Sequence, residues 1–120
     1  MAKLLIVDDE ADVREFAANF FRRRKIDVFT AGNGEEAINI AEGQKPNLIL
    51  LDIKMEGVDG IQVLERIRQK DSSVKVIMVT GTKPEENETF AKCLQLGATN
   101  YIHKPLQLDE LEKIVLKELN

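Results

Sequence analysis

The stretch Leu48-Ile49-Leu50-Leu51-Asp52 decides the fold. Its unbroken apolar run reads as a strand buried on both faces, the pattern found in parallel sheets. Leu4-Leu5-Ile6-Val7 and Val74-Lys75-Val76-Ile77-Met78-Val79 share that character, and Asp27-Val28-Phe29-Thr30 and Asn100-Tyr101-Ile102 are β-like as well. Helical periodicity fills the gaps. Val13, Phe16, Ala17, Phe20 and Phe21 recur at the spacing of one helix face, as do Ile61, Leu64 and Ile67, and later Leu108, Leu111 and Val115. Helix starts are signalled by Asn33 ahead of Gly34-Glu35-Glu36, by Pro84 ahead of Glu85-Glu86, and by Asp109-Glu110 in the last helix. Five βα units in 120 residues predict a doubly wound α/β fold, because parallel strands need crossover helices and these cover both faces of the sheet. With no repeat, low-complexity tract or linker, the chain reads as one domain over residues 1–120. The last helix ends near Leu119, which leaves no room for a further domain: the expectation is a single-domain protein or a domain cut from a longer chain.

The chain carries 17 basic and 21 acidic residues, a net charge of -4, with 43% hydrophobic and 32% charged residues. That composition suits a globular domain with its own core and excludes a disordered or fibrous chain. The apolar runs fall far short of the ~18 residues needed to cross a bilayer, so no membrane insertion is expected. Lys3 and the short run after it leave no signal-peptide region, and the single Cys93 cannot form an intrachain disulfide. Both point to the reduced cytoplasm. The acidic balance argues against direct nucleic-acid binding.

In open parallel sheets, ligands bind beyond the carboxyl ends of the strands. There the sequence places Asp8-Asp9 after the first strand, Asp52 at the end of the third, Thr80-Gly81-Thr82 after the fourth, and His103-Lys104-Pro105 after the fifth. Taken singly, each residue reads as a helix cap or loop residue. Together, three carboxylates repel one another and hold protons unless a cation offsets them. Mg²⁺ suits carboxylate, carbonyl and water oxygens, whereas zinc wants His and Cys ligands, of which the chain has one each. With Mg²⁺ on Asp8 and Asp9, Asp52 is a competent nucleophile toward phosphorus, and Lys104 and Thr80 supply charge and a hydroxyl donor for phosphoryl oxygens.

The ordered set Val7-Asp8-Asp9-Glu10, Leu51-Asp52-Ile53-Lys54-Met55 with Gly57 and Asp59-Gly60, Val79-Thr80-Gly81, and Gly97 through Pro105 strongly resembles the receiver domain of two-component response regulators. The resemblance covers the whole chain. It implies a flavodoxin-like (βα)5 three-layer sandwich with sheet order 2-1-3-4-5, phosphorylated by a histidine kinase or histidine phosphotransferase. Asp52 matches the phosphoacceptor, Asp8 and Asp9 the metal-positioning pair, and Lys104 the family's lysine. Thr80 and Tyr101 match the switch hydroxyl and switch aromatic, and Lys54 stands where the family lends a backbone carbonyl to Mg²⁺. Phosphorylation is then expected to draw Thr80 inward, to turn Tyr101 from exposed to buried, and to alter the surface of the fourth helix, fifth strand and last helix for an output protein. A monomer, or a weak dimer on phosphorylation, is implied. Such a domain is a switch, not a multiple-turnover enzyme.

The chain departs from the family pattern at Glu56, where proline is usual, and over Thr82 to Glu88, which is slightly longer than usual. Thr82 and Lys54 flank the acceptor and are expected to tune water access to an acyl phosphate, and the Lys104-Pro105 bond is one the family typically holds cis. Two rivals use similar residues. A haloacid dehalogenase-type phosphatase needs a second Asp two residues after its nucleophile, where this chain has Lys54; a degenerate receiver would bind partners without phosphorylation. A flavin carrier of the same fold would suffer repulsion between the carboxylates and the flavin phosphate.

The remaining features read as structural. Arg22-Arg23-Arg24-Lys25 is a solvated helix terminus, His103 a face residue pointing away from Lys104, and Cys93 a core residue on the stretch shared with Phe90 and Leu94. Gly32-Asn33-Gly34 lacks the third glycine of a dinucleotide loop, and Gly81-Thr82-Lys83 lacks the upstream glycine of a phosphate-binding loop.

Overall fold

The computed structural model describes residues 2–55, 57–81, 87–104 and 107–119, with side chains except at 87–90. Expectations that rest on Glu56, Thr82, Pro84 and Pro105 lie outside these described residues, as does the side chain of Phe90.

The elements alternate as the apolar runs predict: β1 (Lys3–Val7), α1 (Ala11–Arg22), β2 (Asp27–Ala31), α2 (Gly34–Gln44), β3 (Leu48–Asp52), α3 (Gly60–Lys70), β4 (Lys75–Thr80), α4 (Asn87–Gln95), β5 (Asn100–His103) and α5 (Leu108–Leu119). All strand pairs are parallel, in the order β2-β1-β3-β4-β5. The three runs of near-continuous apolar residues are the three central strands. The two mixed runs, β2 and β5, take the edges, where one side meets solvent.

Alternation along the central strands divides the core in two. Leu4, Ile6, Leu48, Leu50, Ile77 and Val79 pack on Ala17, Ala18 and Phe21 of α1 and on Leu111 and Val115 of α5. Leu5, Val7, Ile49, Leu51, Val76 and Met78 pack on Ala37 and Ile38 of α2, on Val63, Leu64 and Ile67 of α3, and on Cys93 of α4. Cys93 is fully buried, as expected, while its neighbour Leu94 is exposed. This is a flavodoxin-like doubly wound (βα)5 sandwich with helices on both faces.

Asn33 caps α2 as its position predicts, its Oδ1 accepting the Glu36 N–H at 2.8 Å. The basic tetrad at the end of α1 is solvated but also tied down: the Arg24 guanidinium stacks 3.7 Å above the Phe20 ring and pairs with Glu112 of α5. One expectation fails. Phe16 shares the helical spacing of the α1 core face yet is 63% exposed, because α1 is turned so that Ala17, Ala18 and Phe21 meet the sheet. Small residues at 17 and 18 let α1 approach closely and tilt Phe16 off the contact.

Candidate functional site

Strand register brings the polar residues to one cleft. Val7 pairs with Leu51, Asp52 with Val79, and Thr80 with His103, so the residues that leave these strands meet at one edge. Asp8 and Asp52 are each only 4% exposed and Thr80 is fully buried, whereas Asp9 and Glu10 face solvent. The Lys104 N–H donates to the Thr80 carbonyl at 2.6 Å, which anchors the end of β5 and sends the lysine across the cleft. Lys104 Nζ lies 3.2 Å from Asp8 Oδ2, 3.3 Å from Asp52 Oδ2 and 3.8 Å from Glu10 Oε1. One ammonium therefore bridges two buried carboxylates from two different strands.

Local sequence holds these groups in place. Asp8 Oδ1 accepts the Glu10 N–H at 2.9 Å, a turn of the kind that aspartate favours. The Ile53 N–H donates to the Val79 carbonyl at 3.0 Å and the Gly60 N–H to the Ile53 carbonyl at 2.8 Å, fixing the backbone after Asp52. A Cβ at Gly60 would overlap the Asp52 carbonyl oxygen and come within 2.7 Å of Ile53 Cα, so α3 can start against this loop only with glycine there. Asp59 caps α3 by accepting the Gln62 N–H at 2.9 Å, and Gln62 Oε1 accepts the Asp59 N–H at 3.1 Å in return. Gly57, with φ +79°, makes the left-handed turn on the way.

The electrostatics follow from burial. Desolvation pushes the Asp52 carboxyl up from 3.8 to about 6; the Asp8 charge adds to this, Lys104 opposes it, and Asp9 contributes a little more. The sequence reading ascribes proton retention here to mutual repulsion, but burial is the larger cause. For Lys104, burial works against the ammonium, yet the Asp52 and Asp8 carboxylates prevail and raise it above lysine's usual range.

The cleft also fits a hard cation. Carboxylate oxygens of Asp8, Asp9 and Glu10 lie within 4.8 Å of one another, and a cavity of about 410 Å³ lined by Asp9, Ile53, Lys54, Met55 and Asp59 opens beside Asp9. An all-oxygen donor set of this kind suits Mg²⁺. A zinc set is absent among the described residues, since Cys93 is buried in the core and His103 lies exposed on β5.

Of the residues named from sequence, Asp8, Asp9, Asp52, Lys54, Thr80 and Lys104 gather at this edge, Lys54 with its side chain in solvent. Tyr101 sits two residues before His103 on the same side of β5, half-buried against the core and edge-to-face with the His103 ring at 5.4 Å. It is already partly packed instead of fully exposed. Sequence reasoning gave no role to Glu10, Arg14 or the Gly60 contact. Glu10 belongs to the quoted acidic run and could have been included; Gly60 stands in the quoted Asp59-Gly60 pair, but its approach to the Asp52 carbonyl is set by the path of the loop between them.

Residues 4–116 match the response regulator receiver domain, and the chain belongs to that family. It is 35% identical over 117 residues to the sporulation initiation phosphotransferase F of Bacillus subtilis, covering 98% of this chain and 93% of that protein. The regulatory protein AtoC of Escherichia coli is 36% identical over 117 residues, but the chain spans only 25% of it. Among solved structures, a CheY-like receiver domain protein of Methanospirillum hungatei JF-1 aligns with TM-score 0.88 at 33% identity, covering 98% of this chain and 94% of that one. The response regulator TrrA of Thermotoga maritima, in complex with Mg(2+)-BeF, aligns with TM-score 0.88 at 32% identity, covering 99% of this chain and 100% of that one. This is thus a two-component signalling receiver, of a family whose members act generally as phosphoacceptor switches and bind Mg²⁺ in the acidic pocket. Among the described residues, no helix is long and apolar enough to cross a membrane.

Proposed function

We propose that this domain accepts a phosphoryl group on Asp52 from the phosphohistidine of a histidine kinase or histidine phosphotransferase, and changes its partner surface in response. The reading is carried by Lys104 Nζ, held 3.2 and 3.3 Å from the buried Asp8 and Asp52 carboxylates. An Asp52 carboxylate oxygen attacks phosphorus while the phosphorus–nitrogen bond breaks; the bonding pair stays on the imidazole nitrogen, which takes up a proton. Lys104 exchanges its carboxylate contacts for a phosphoryl oxygen, and the Thr80 hydroxyl donates to another. Mg²⁺ held by Asp8, Asp9, Asp52 and the Lys54 backbone carbonyl would supply charge neutralisation for the transferring group. Lys54, in solvent two residues after Asp52, stands where a haloacid dehalogenase-type phosphatase places its general-acid Asp, which disfavours turnover of phosphate esters.

An open groove of about 660 Å³ runs from Lys104 and Gly81 past Glu10 and Val13 to the exposed Phe16 and Leu108. It gives the donor an apolar track to the acceptor edge. The output surface is that of α4, β5 and α5, moved through Thr80 and Tyr101 as two pre-existing states shift in population. The domain, over residues 1–120, works in the cytoplasm as a monomer or a weak phosphorylation-dependent dimer. Incubation with acetyl phosphate and Mg²⁺, read by intact mass, is expected to add one phosphoryl group. No gain with any of several small donors would leave a partner-binding module without phosphorylation.

A further inference from the structure

Arg14 stands behind the acidic end of the cleft. It lies on the first turn of α1, its N–H donating to the Glu10 carbonyl at 3.0 Å, and its side chain is 19% exposed. Arg14 Nη1 donates to the backbone carbonyl of Asp8 at 2.8 Å. The same Nη1 faces Gly32, where an added Cβ would come within 2.9 Å of it. Gly32 directly follows Ala31, the residue of β2 that pairs with Val7 and whose carbonyl accepts the Asp8 N–H at 3.1 Å. A side chain at the first glycine of Gly32-Asn33-Gly34, which no nucleotide motif uses, would therefore displace the tip of this guanidinium.

The Asp8 carbonyl belongs to the peptide that joins Asp8 to Asp9. A hydrogen bond from a charged donor to that oxygen restricts rotation of this peptide, and so the directions in which the two carboxylates leave the chain. We propose that Arg14 is a positioning residue for cation binding, holding the Asp8–Asp9 peptide so that both carboxylates serve one ion. The proposal rests on the reading of Asp8 and Asp9 as cation ligands. Outer groups that orient metal ligands commonly contribute 10- to 100-fold in affinity.

The test is calorimetric titration of the full chain with MgCl₂, alongside urea unfolding, for wild type, Arg14→Gln, Arg14→Lys and Gly32→Ala. Arg14→Gln is expected to weaken Mg²⁺ binding about tenfold, and Arg14→Lys to recover part of the loss by restoring a charged donor. Gly32→Ala displaces the guanidinium tip without altering Arg14, and is expected to weaken binding in the same direction by less. Loss of stability in Arg14→Gln and Gly32→Ala with Mg²⁺ affinity within about twofold of wild type, well short of that tenfold, would make Arg14 merely structural and overturn the proposal. Absence of millimolar Mg²⁺ binding by the wild type would instead overturn the cation reading, and this inference with it.

Discussion

Two aspartates at opposite edges of the sheet are treated in opposite ways. Asp71, in the turn leading into β4, accepts the Ser73 hydroxyl at 2.7 Å, the Ser73 N–H at 2.8 Å and the Val74 N–H at 3.2 Å. These donors hold its carboxyl below the usual range. Asp52, at the carboxyl end of β3, is buried, has Lys104 as its hydrogen-bond partner among the described residues, and is pushed up to about 6. A carboxylate kept for structure is saturated with donors from its own loop. One kept for chemistry, as proposed for Asp52, is desolvated and left with capacity for a cation and a phosphoryl group.

The contrast is broken most easily at Lys104. Lys104→Met leaves Asp8 and Asp52 buried without their cation, and is expected to slow phosphoryl gain from acetyl phosphate by about 100-fold, the scale of one lost transition-state donor. A time course by intact mass measures this; a rate close to wild type would remove Lys104 from the chemistry. Asp71→Asn, by comparison, should leave that rate unchanged.

Stability should respond with opposite signs at the two edges. In metal-free protein at pH 7, Asp52→Asn removes a buried charge and is expected to stabilise by about 1–3 kcal/mol, the scale of its raised carboxyl. Asp71→Asn weakens three accepting contacts and is expected to destabilise by about 1–2 kcal/mol. Urea midpoints of the two variants decide this, and the same sign in both would erase the distinction.

The pH dependence sharpens the comparison. Folding raises the Asp52 carboxyl, so its contribution favours the native state below about 3.8 and is lost as pH climbs through about 6. Folding lowers the Asp71 carboxyl, so its contribution is present above 3.8 and is lost as pH falls through its native value. The advantage of Asp52→Asn should therefore grow between about pH 4 and pH 6, while the deficit of Asp71→Asn shrinks at more acid pH, as unfolding series would show. The smallest effect is that of chelation. Removing Mg²⁺ held at about ten times its dissociation constant should lower wild-type stability by about 1.4 kcal/mol, and should change an Asp9→Asn variant less.

The carboxyl edge was more legible in sequence than the amino edge. Parallel strands announce themselves by uniform apolar runs, and a strand end is one residue wide, so Asp8, Asp52, Thr80 and Lys104 could be placed at one edge from the chain alone. Their burial could not. Helical spacing put Phe16 on the core face of α1, but the helix rotation is set by how closely Ala17 and Ala18 let it approach the sheet. The Gly60 contact with the Asp52 backbone and the place of Arg14 over Gly32 depend on how separate turns of the chain meet in space, whereas the Asp71 turn is closed by donors of its own loop. No periodicity records such meetings. The cap at Asn33, by contrast, is a contact across three residues and was read correctly.

Asp52 is proposed as the one carboxylate that carries the phosphoryl group. Treating the acetyl phosphate-labelled, Mg²⁺-loaded protein with borohydride converts an aspartyl phosphate to homoserine, which peptide mass spectrometry can locate. Homoserine is expected at position 52, with none in Asp52→Asn. Homoserine at Asp8, Asp9 or Asp71, or labelling undiminished in Asp52→Asn, would contradict it.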